Sequence, residues 1–125
     1  MQQHPNIIKM YETYREDTYN YMVTEYCDGG ELFNRLAKEK RFGEATAAGL
    51  MHQIFYGVAY CHMKGIIHGD LKPENIMLDN AADPSQQVKL ADFGASRFKS
   101  EKRKLIFGTV SAVDYVVPVP STRSV

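Results

Sequence analysis

Residues 68–75 read HGDLKPEN, and the triplet Asp92-Phe93-Gly94 follows 17 residues after Asn75. This ordered pair constrains the fold more than any other feature of the chain. The first stretch sets a carboxylate (Asp70), an amine (Lys72) and an amide (Asn75) within six positions, and the second sets another carboxylate on a loop opened by glycine. A base for an incoming hydroxyl, a cation for a moving phosphate and hard oxygen ligands for magnesium are the parts a phosphoryl-transfer site requires.

The rest of the chain predicts a scaffold of strands and helices. Ile7 to Tyr14 mixes β-branched and aromatic residues with polar ones, Arg15-Glu16-Asp17-Thr18 reads as a turn, and Tyr19 to Thr24 completes a hairpin. Cys27-Asp28-Gly29-Gly30 then breaks the sheet. Glu31 to Lys38 suits a short helix, with an acid in its first turn and a base in its last to match the helix dipole. A longer helix is predicted from Glu44 to Lys64. There Leu50, Met51, Ile54, Phe55, Val58 and Ala59 recur at three- and four-residue spacing and share one face. Gly43 is a weak cap with no side-chain oxygen, and Gly65 is a left-handed stop. Short strands follow at Ile66-Ile67, Ile76 to Leu78 and Val88 to Leu90, with a polar loop from Asp79 to Gln87.

Composition narrows the class further. A length of 125 residues suits about one compact domain, and 44% apolar with 24% charged residues is a globular balance. A formal charge of zero gives no case for nucleic acid or membrane as a partner. No apolar run approaches the roughly 20 residues of a membrane span. The N-terminus MQQHPN lacks an apolar signal core, and Gln2 stands where myristoylation requires glycine. Cys27 and Cys61 are the only cysteines, which fits reduced thiols in an intracellular, cytoplasmic protein and is too few for zinc. His4, His52 and His62 carry no assigned chemistry, and His68 reads as a structural hydrogen bonder.

The order of hairpin, Gly-Gly crossover, long helix, HGDLKPEN and DFG resembles the middle of a eukaryotic serine/threonine protein kinase domain, over roughly residues 3–109. The implied fold is α+β and partial. Residues 1–26 are the end of a β-rich upper lobe, 27–117 the first part of a helical lower lobe with catalytic loop, DFG and partial activation segment, and 118–125 an irregular tail. The resemblance implies that Asp70 is the base and Lys72 the loop cation, with Lys72-Pro73-Glu74-Asn75 as the serine/threonine pattern. It makes Asn75 and Asp92 the magnesium ligands. Met22 to Cys27 is similar to the strand and hinge that hold adenine, with Thr24 as gatekeeper and Glu25 and Cys27 offering backbone hydrogen bonds. Glu31 is placed near the ribose, where it could also meet a basic residue of a peptide substrate, Glu74 joins the nucleotide-binding set, and Met77 forms the floor under adenine. His68, Phe93 and Met10 match positions that stack from the catalytic loop into the upper lobe. ATP and Mg2+ are the implied cofactors, and a protein serine or threonine the implied substrate. GGELFNRL and DFGASRF are worded most like the calcium-dependent and calcium/calmodulin-regulated kinases.

Three departures accompany the resemblance. A Gly-rich loop, a third-strand lysine and a helix-C glutamate have no counterpart among the 125 residues, so the chain by itself is expected to show no measurable phosphoryl transfer. Position 69 is glycine where most kinases carry arginine, which excludes a loop-phosphorylation switch through this position. After Phe107-Gly108-Thr109 the pattern dissolves, with Val117 and Val119 standing where an x-D-Y-V-A-P-E ending has alanine and glutamate. The basic run KSEKRK at 99–104 reads as a solvated loop. The alternative reading is a non-catalytic kinase remnant, whose exposed core around Met10, Phe93 and the long helix is covered by a protein partner.

Overall fold

A computed structural model describes residues 3–82 and 87–99. Most of the basic run, the altered activation-segment ending and the tail at 118–125 lie outside the described residues.

The chain opens with an antiparallel hairpin of β1 (Met10–Glu16) and β2 (Tyr19–Thr24), paired from Met10 opposite Thr24 to Glu16 opposite Tyr19. The strand starts later and runs further than Ile7–Tyr14, because the turn closes on two residues, with Asp17 at φ 50°. Such a backbone angle is open to aspartate, which tolerates the left-handed region better than most residues. Every residue of both strands is exposed, and the cross-strand partners Tyr14 and Tyr21 stack at 5.0 Å. A lone two-stranded hairpin is marginal in water. Here its base is fastened to the body by Ile8 N–H donating to the Leu90 carbonyl at 2.9 Å, and by a parallel bridge between Ile7 and Leu90.

After the hairpin come β3 (Gly30–Glu31), α1 (Leu32–Glu39), α2 (Glu44–Met63) and β4 (Ile66–Ile67). A 3-10 turn over Pro73–Asn75 follows, then β5 (Ile76–Leu78), β6 (Val88–Leu90), a second 3-10 turn over Phe93–Ala95 and β7 (Arg97–Phe98). Thus Gly30 does not only break the hairpin sheet; it pairs with Leu78 and starts another. Gly29 lies so close to β5 that a Cβ there would stand 2.5 Å from the Leu78 carbonyl oxygen, so only glycine lets the chain cross at this point. α1 begins one residue later than expected, with Glu31 as its N-cap and no acid in its first turn, although Lys38 lies in the last turn as expected.

The central sheet has the order β3-β5-β6, all antiparallel. Side chains alternate between faces. One face carries Ile76, Leu78, Val88 and Leu90, which pack with Leu32, Leu50, Ile54 and Val58 into the core. The other face carries a row of directly opposed residues, Glu31, Met77 and Lys89.

α2 starts where expected and ends one residue earlier, with Lys64 as its C-cap, Gly43 as an N-cap without side-chain hydrogen bond and Gly65 at φ 72° beyond its end. Its buried stripe differs from the expected face: Leu50, Ile54, Gly57, Val58 and Cys61 are buried, while Met51, Phe55 and Ala59 are exposed. The helix packs closely at Gly57, where a Cβ would come within 2.9 Å of the Asn6 carbonyl oxygen and 3.0 Å of Leu90 on β6, and this close approach favours the observed stripe. Met51 and Phe55 instead line an apolar groove of about 390 Å³ with Leu36, Phe42, Leu71 and Pro73. Exposed apolar surface is thus present at Met10 and along α2, but not at Phe93, which is partly buried against the core. Among the described residues no helix is long and apolar enough to cross a membrane.

Candidate functional site

The loop after β4 turns at Gly69, whose φ of 83° is one that side chains rarely adopt. A Cβ there would stand 2.6 Å from the Ala95 carbonyl oxygen, so the loop and the segment after Asp92-Phe93-Gly94 touch at the position where arginine is missing. Beyond the turn the polar residues converge. Lys72 Nζ lies 3.0 Å from Asp70 Oδ2, and Asn75 Nδ2 donates to the same oxygen at 2.9 Å and to the Asp70 carbonyl at 2.9 Å. The spacing follows from local chemistry. Lys72 is extended, and Pro73, with its fixed φ, starts the short 3-10 turn that folds Asn75 back onto Asp70.

The ammonium of Lys72, helped by the Asn75 amide, holds the Asp70 carboxyl below the usual carboxylate range, and Asp70 in turn raises Lys72 above the usual lysine value. Linkage fixes the signs. The lowered Asp70 contributes stability above the ordinary carboxylate value and loses it as pH falls through its own lower one. The raised Lys72 contributes below the ordinary lysine value and loses it as pH rises through its higher one. The pair is therefore intact across neutral pH. In Lys72→Met, the Asp70 carboxyl titrates closer to the ordinary range in a 13C NMR pH series; an unchanged titration would show that the pair does not form.

Asp92 is brought to this cluster by the backbone. Ala91 N–H donates to the Asn75 carbonyl at 2.9 Å, extending the β5–β6 ladder by one step and setting Asp92 one residue beyond the backbone partner of Asn75. Asp92 is left-handed (φ 54°, ψ 73°) and its Oδ1 accepts from Gly94 N–H at 3.2 Å, which shapes the loop. His68, buried behind the loop, ties both segments together. Its Nδ1 accepts from Asp70 N–H at 3.3 Å, so Nε2 carries the hydrogen and donates to the Ala91 carbonyl at 2.9 Å. Its ring packs on Phe93 at 4.5 Å, while Met10 stands half-exposed on β1. His68 is structural here, as its sequence position suggests.

The residues expected to form the hinge follow β2. Thr24 ends β2, exposed, with its hydroxyl donating to the Glu25 carbonyl at 3.2 Å. Cys27 is buried, and burial first and the Glu25 carboxylate second push its thiol pKa up, which keeps it protonated and inert. Glu31 and Met77 face each other on the second face of the sheet. Glu74 is exposed in the 3-10 turn, where its charge also favours the protonated form of Lys72. The structure thus brings Lys72 and Asn75 onto Asp70, ties the residue before Asp92 to Asn75 through the backbone, sets Glu31 opposite Met77 on the sheet, and holds Glu25 against Lys89.

Two residues escaped the sequence reading. Lys89, the middle residue of a fully buried strand, pairs with Glu25 at 2.9 Å. Asn6, also buried, donates to the Val88 carbonyl at 2.8 Å and to Gln53 Oε1 at 3.1 Å, while Gln53 Oε1 accepts from Val88 N–H at 2.9 Å. The one available signal for Lys89 was its place between Val88 and Leu90 in a strand of otherwise buried pattern.

The family model described as the protein kinase domain matches residues 1–118. The chain belongs to the protein kinase domain family. Its curated relatives include CBL-interacting protein kinase 11 of Oryza sativa subsp. japonica, 40% identical over 96% of this chain and 24% of that protein. A calcium/calmodulin-dependent serine/threonine-protein kinase of Malus domestica is 41% identical over 92% of this chain and 27% of that protein. Calcium-dependent protein kinase 5 of Plasmodium falciparum (isolate 3D7) is 45% identical over 85% of this chain and 19% of that protein. The chain therefore spans about a quarter, or less, of the length of these relatives. The mixed fold, with a β-rich first part followed by helix, agrees with the expected partial kinase architecture.

Protein kinases generally use ATP and Mg2+, and the chemistry of this kinase domain's residues fits that pair. Asn75 commits its amide nitrogen to Asp70, which leaves its oxygen as the atom suited to a hard cation. Asp92 adds a carboxylate from the adjoining segment. Among the described residues no group of three or more His, Cys, Asp or Glu stands close enough to hold a metal ion. One or two protein oxygens plus substrate phosphates is the usual way a protein holds magnesium.

Proposed function

We propose that this kinase domain takes part in serine/threonine protein phosphorylation, moving the γ-phosphoryl group of ATP to a protein hydroxyl. The observation that carries the reading is the Asp70–Lys72–Asn75 triangle joined to Asp92 by the Ala91–Asn75 hydrogen bond. Asp70 accepts the hydroxyl proton as the new O–P bond forms and the bond to the leaving ADP breaks. Lys72 offsets negative charge on the group in transfer. Asn75 and Asp92 would hold magnesium, whose contribution is to neutralise the phosphate oxygens. Adenine would lie against Met77, with Glu25 and Cys27 backbone groups at its edge, Thr24 behind it, Glu31 toward the ribose and Glu74 near the phosphate end.

The 125 residues contain no phosphate clamp of the Gly-rich-loop type, so the test supplies one. Residues 3–99 are grafted in place of their counterpart in a calcium-dependent protein kinase, and transfer from Mg2+–ATP to serine and threonine peptides is measured. Transfer at serine or threonine supports the reading. A folded graft that transfers nothing rejects it.

A further inference from the structure

Lys89 is 7% exposed, yet it is a cation at the centre of β6, between the fully buried Val88 and Leu90. Its side chain lies on the sheet face opposite the core, next to Met77, and reaches Glu25 Oε2 at 2.9 Å. The other carboxylate oxygen, Oε1, accepts from Lys9 N–H at 2.6 Å, while Glu25 N–H donates to the Lys9 carbonyl at 2.9 Å. Glu25 is therefore held by three contacts: twice by Lys9 in the segment that leads into the hairpin, once by the central sheet. Asp92 follows Lys89 by three residues along the same chain.

These contacts join two parts of the candidate site that no sequence motif connects. We propose that Lys89 is a positioning residue for the nucleotide: through Glu25 it locks the start of the hinge onto the sheet face that carries Met77, and so fixes the base-binding backbone relative to Asp92. The inference rests on the nucleotide reading above and goes beyond it by assigning a residue that touches no nucleotide atom. A buried ion pair need not stabilise a fold, since desolvation opposes the attraction, but it does specify one arrangement of the parts it joins. Without Lys89, Glu25 keeps its contacts to Lys9, so the hinge stays attached to the hairpin but is released from the sheet.

The test is a 15N NMR titration of the full 125-residue chain with adenosine, which carries neither phosphate nor metal and reads the base site alone. In the wild-type chain, the amides of Glu25, Cys27 and Met77 are expected to shift with adenosine. In Lys89→Met, the free-state signals of Lys9 and Glu25 move, α2 signals stay in place, and adenosine affinity falls about tenfold, as when only a tenth of the molecules hold a competent hinge. Lys89→Arg, which keeps the charge, recovers most of that affinity; a side chain that only filled space would not be rescued in this way. A folded Lys89→Met chain with wild-type affinity overturns the proposal and leaves the nucleotide reading standing. A wild-type chain whose hinge and Met77 amides ignore adenosine, while Lys89→Met still displaces Glu25, overturns the nucleotide reading and the role of Lys89 with it.

Discussion

Asp70→Asn in the grafted kinase lowers the rate of phosphoryl transfer by about 10²–10⁴-fold, the span associated with a positioned proton acceptor. Asparagine keeps the size of the side chain and an oxygen that can accept from Asn75, so the loop retains its shape. What it loses is the charge that pairs with Lys72 and the capacity to take a proton. The KM for ATP stays close to that of the parent graft, because the hinge and the sheet face around Met77 are untouched. A steady-state comparison of kcat and KM checks both halves. A loss below tenfold, or one confined to KM, would mean that Asp70 is a loop brace and not a base.

Glu25→Ala is expected to destabilise the chain by about 3–5 kcal/mol, the range found when one partner of a buried ion pair is removed. The Lys89 ammonium, its side chain 9% exposed, would be left in the sheet without its carboxylate, and Lys9 N–H would lose its acceptor. Combining Glu25→Gln with Lys89→Met removes both charges and costs less than Glu25→Ala alone, since no ion is left uncompensated. Urea unfolding followed by circular dichroism gives both values. Equal costs for the two variants would show that the pair is solvated.

How far the sequence reveals this molecule depends on the range of the interactions. α2 was legible because its apolar spacing runs along a twenty-residue helix, and β4, β5 and β6 because short runs that each begin with a β-branched residue sit between polar breaks. The polar triangle was legible because Asp70, Lys72 and Asn75 are local, and a proline sets the turn between them. The pairing of Arg97 and Phe98 with Ile67 and Ile66 was not, since two residues carry no periodicity and the partner lies some thirty positions away. The direction of α2 also escaped prediction. Met51 and Phe55 are as apolar as Leu50 and Ile54, and only the close approach at Gly57 decides which pair meets the sheet. Lys89 went unread for another reason: lysine is rarely buried, and only the tertiary arrival of Glu25 makes its burial tolerable.

The central proposal is that Asn75 and Asp92, linked through the Ala91–Asn75 backbone hydrogen bond, receive the metal of a metal–nucleotide complex. Paramagnetic line broadening by Mn2+–ATP in the 15N spectrum of the 125-residue chain tests it most directly. The amides around Asn75 and Asp92 are expected to broaden first, α1 and the far end of α2 to remain sharp, and Asp92→Ala to remove the effect. Broadening centred elsewhere, or unchanged in Asp92→Ala, would contradict it.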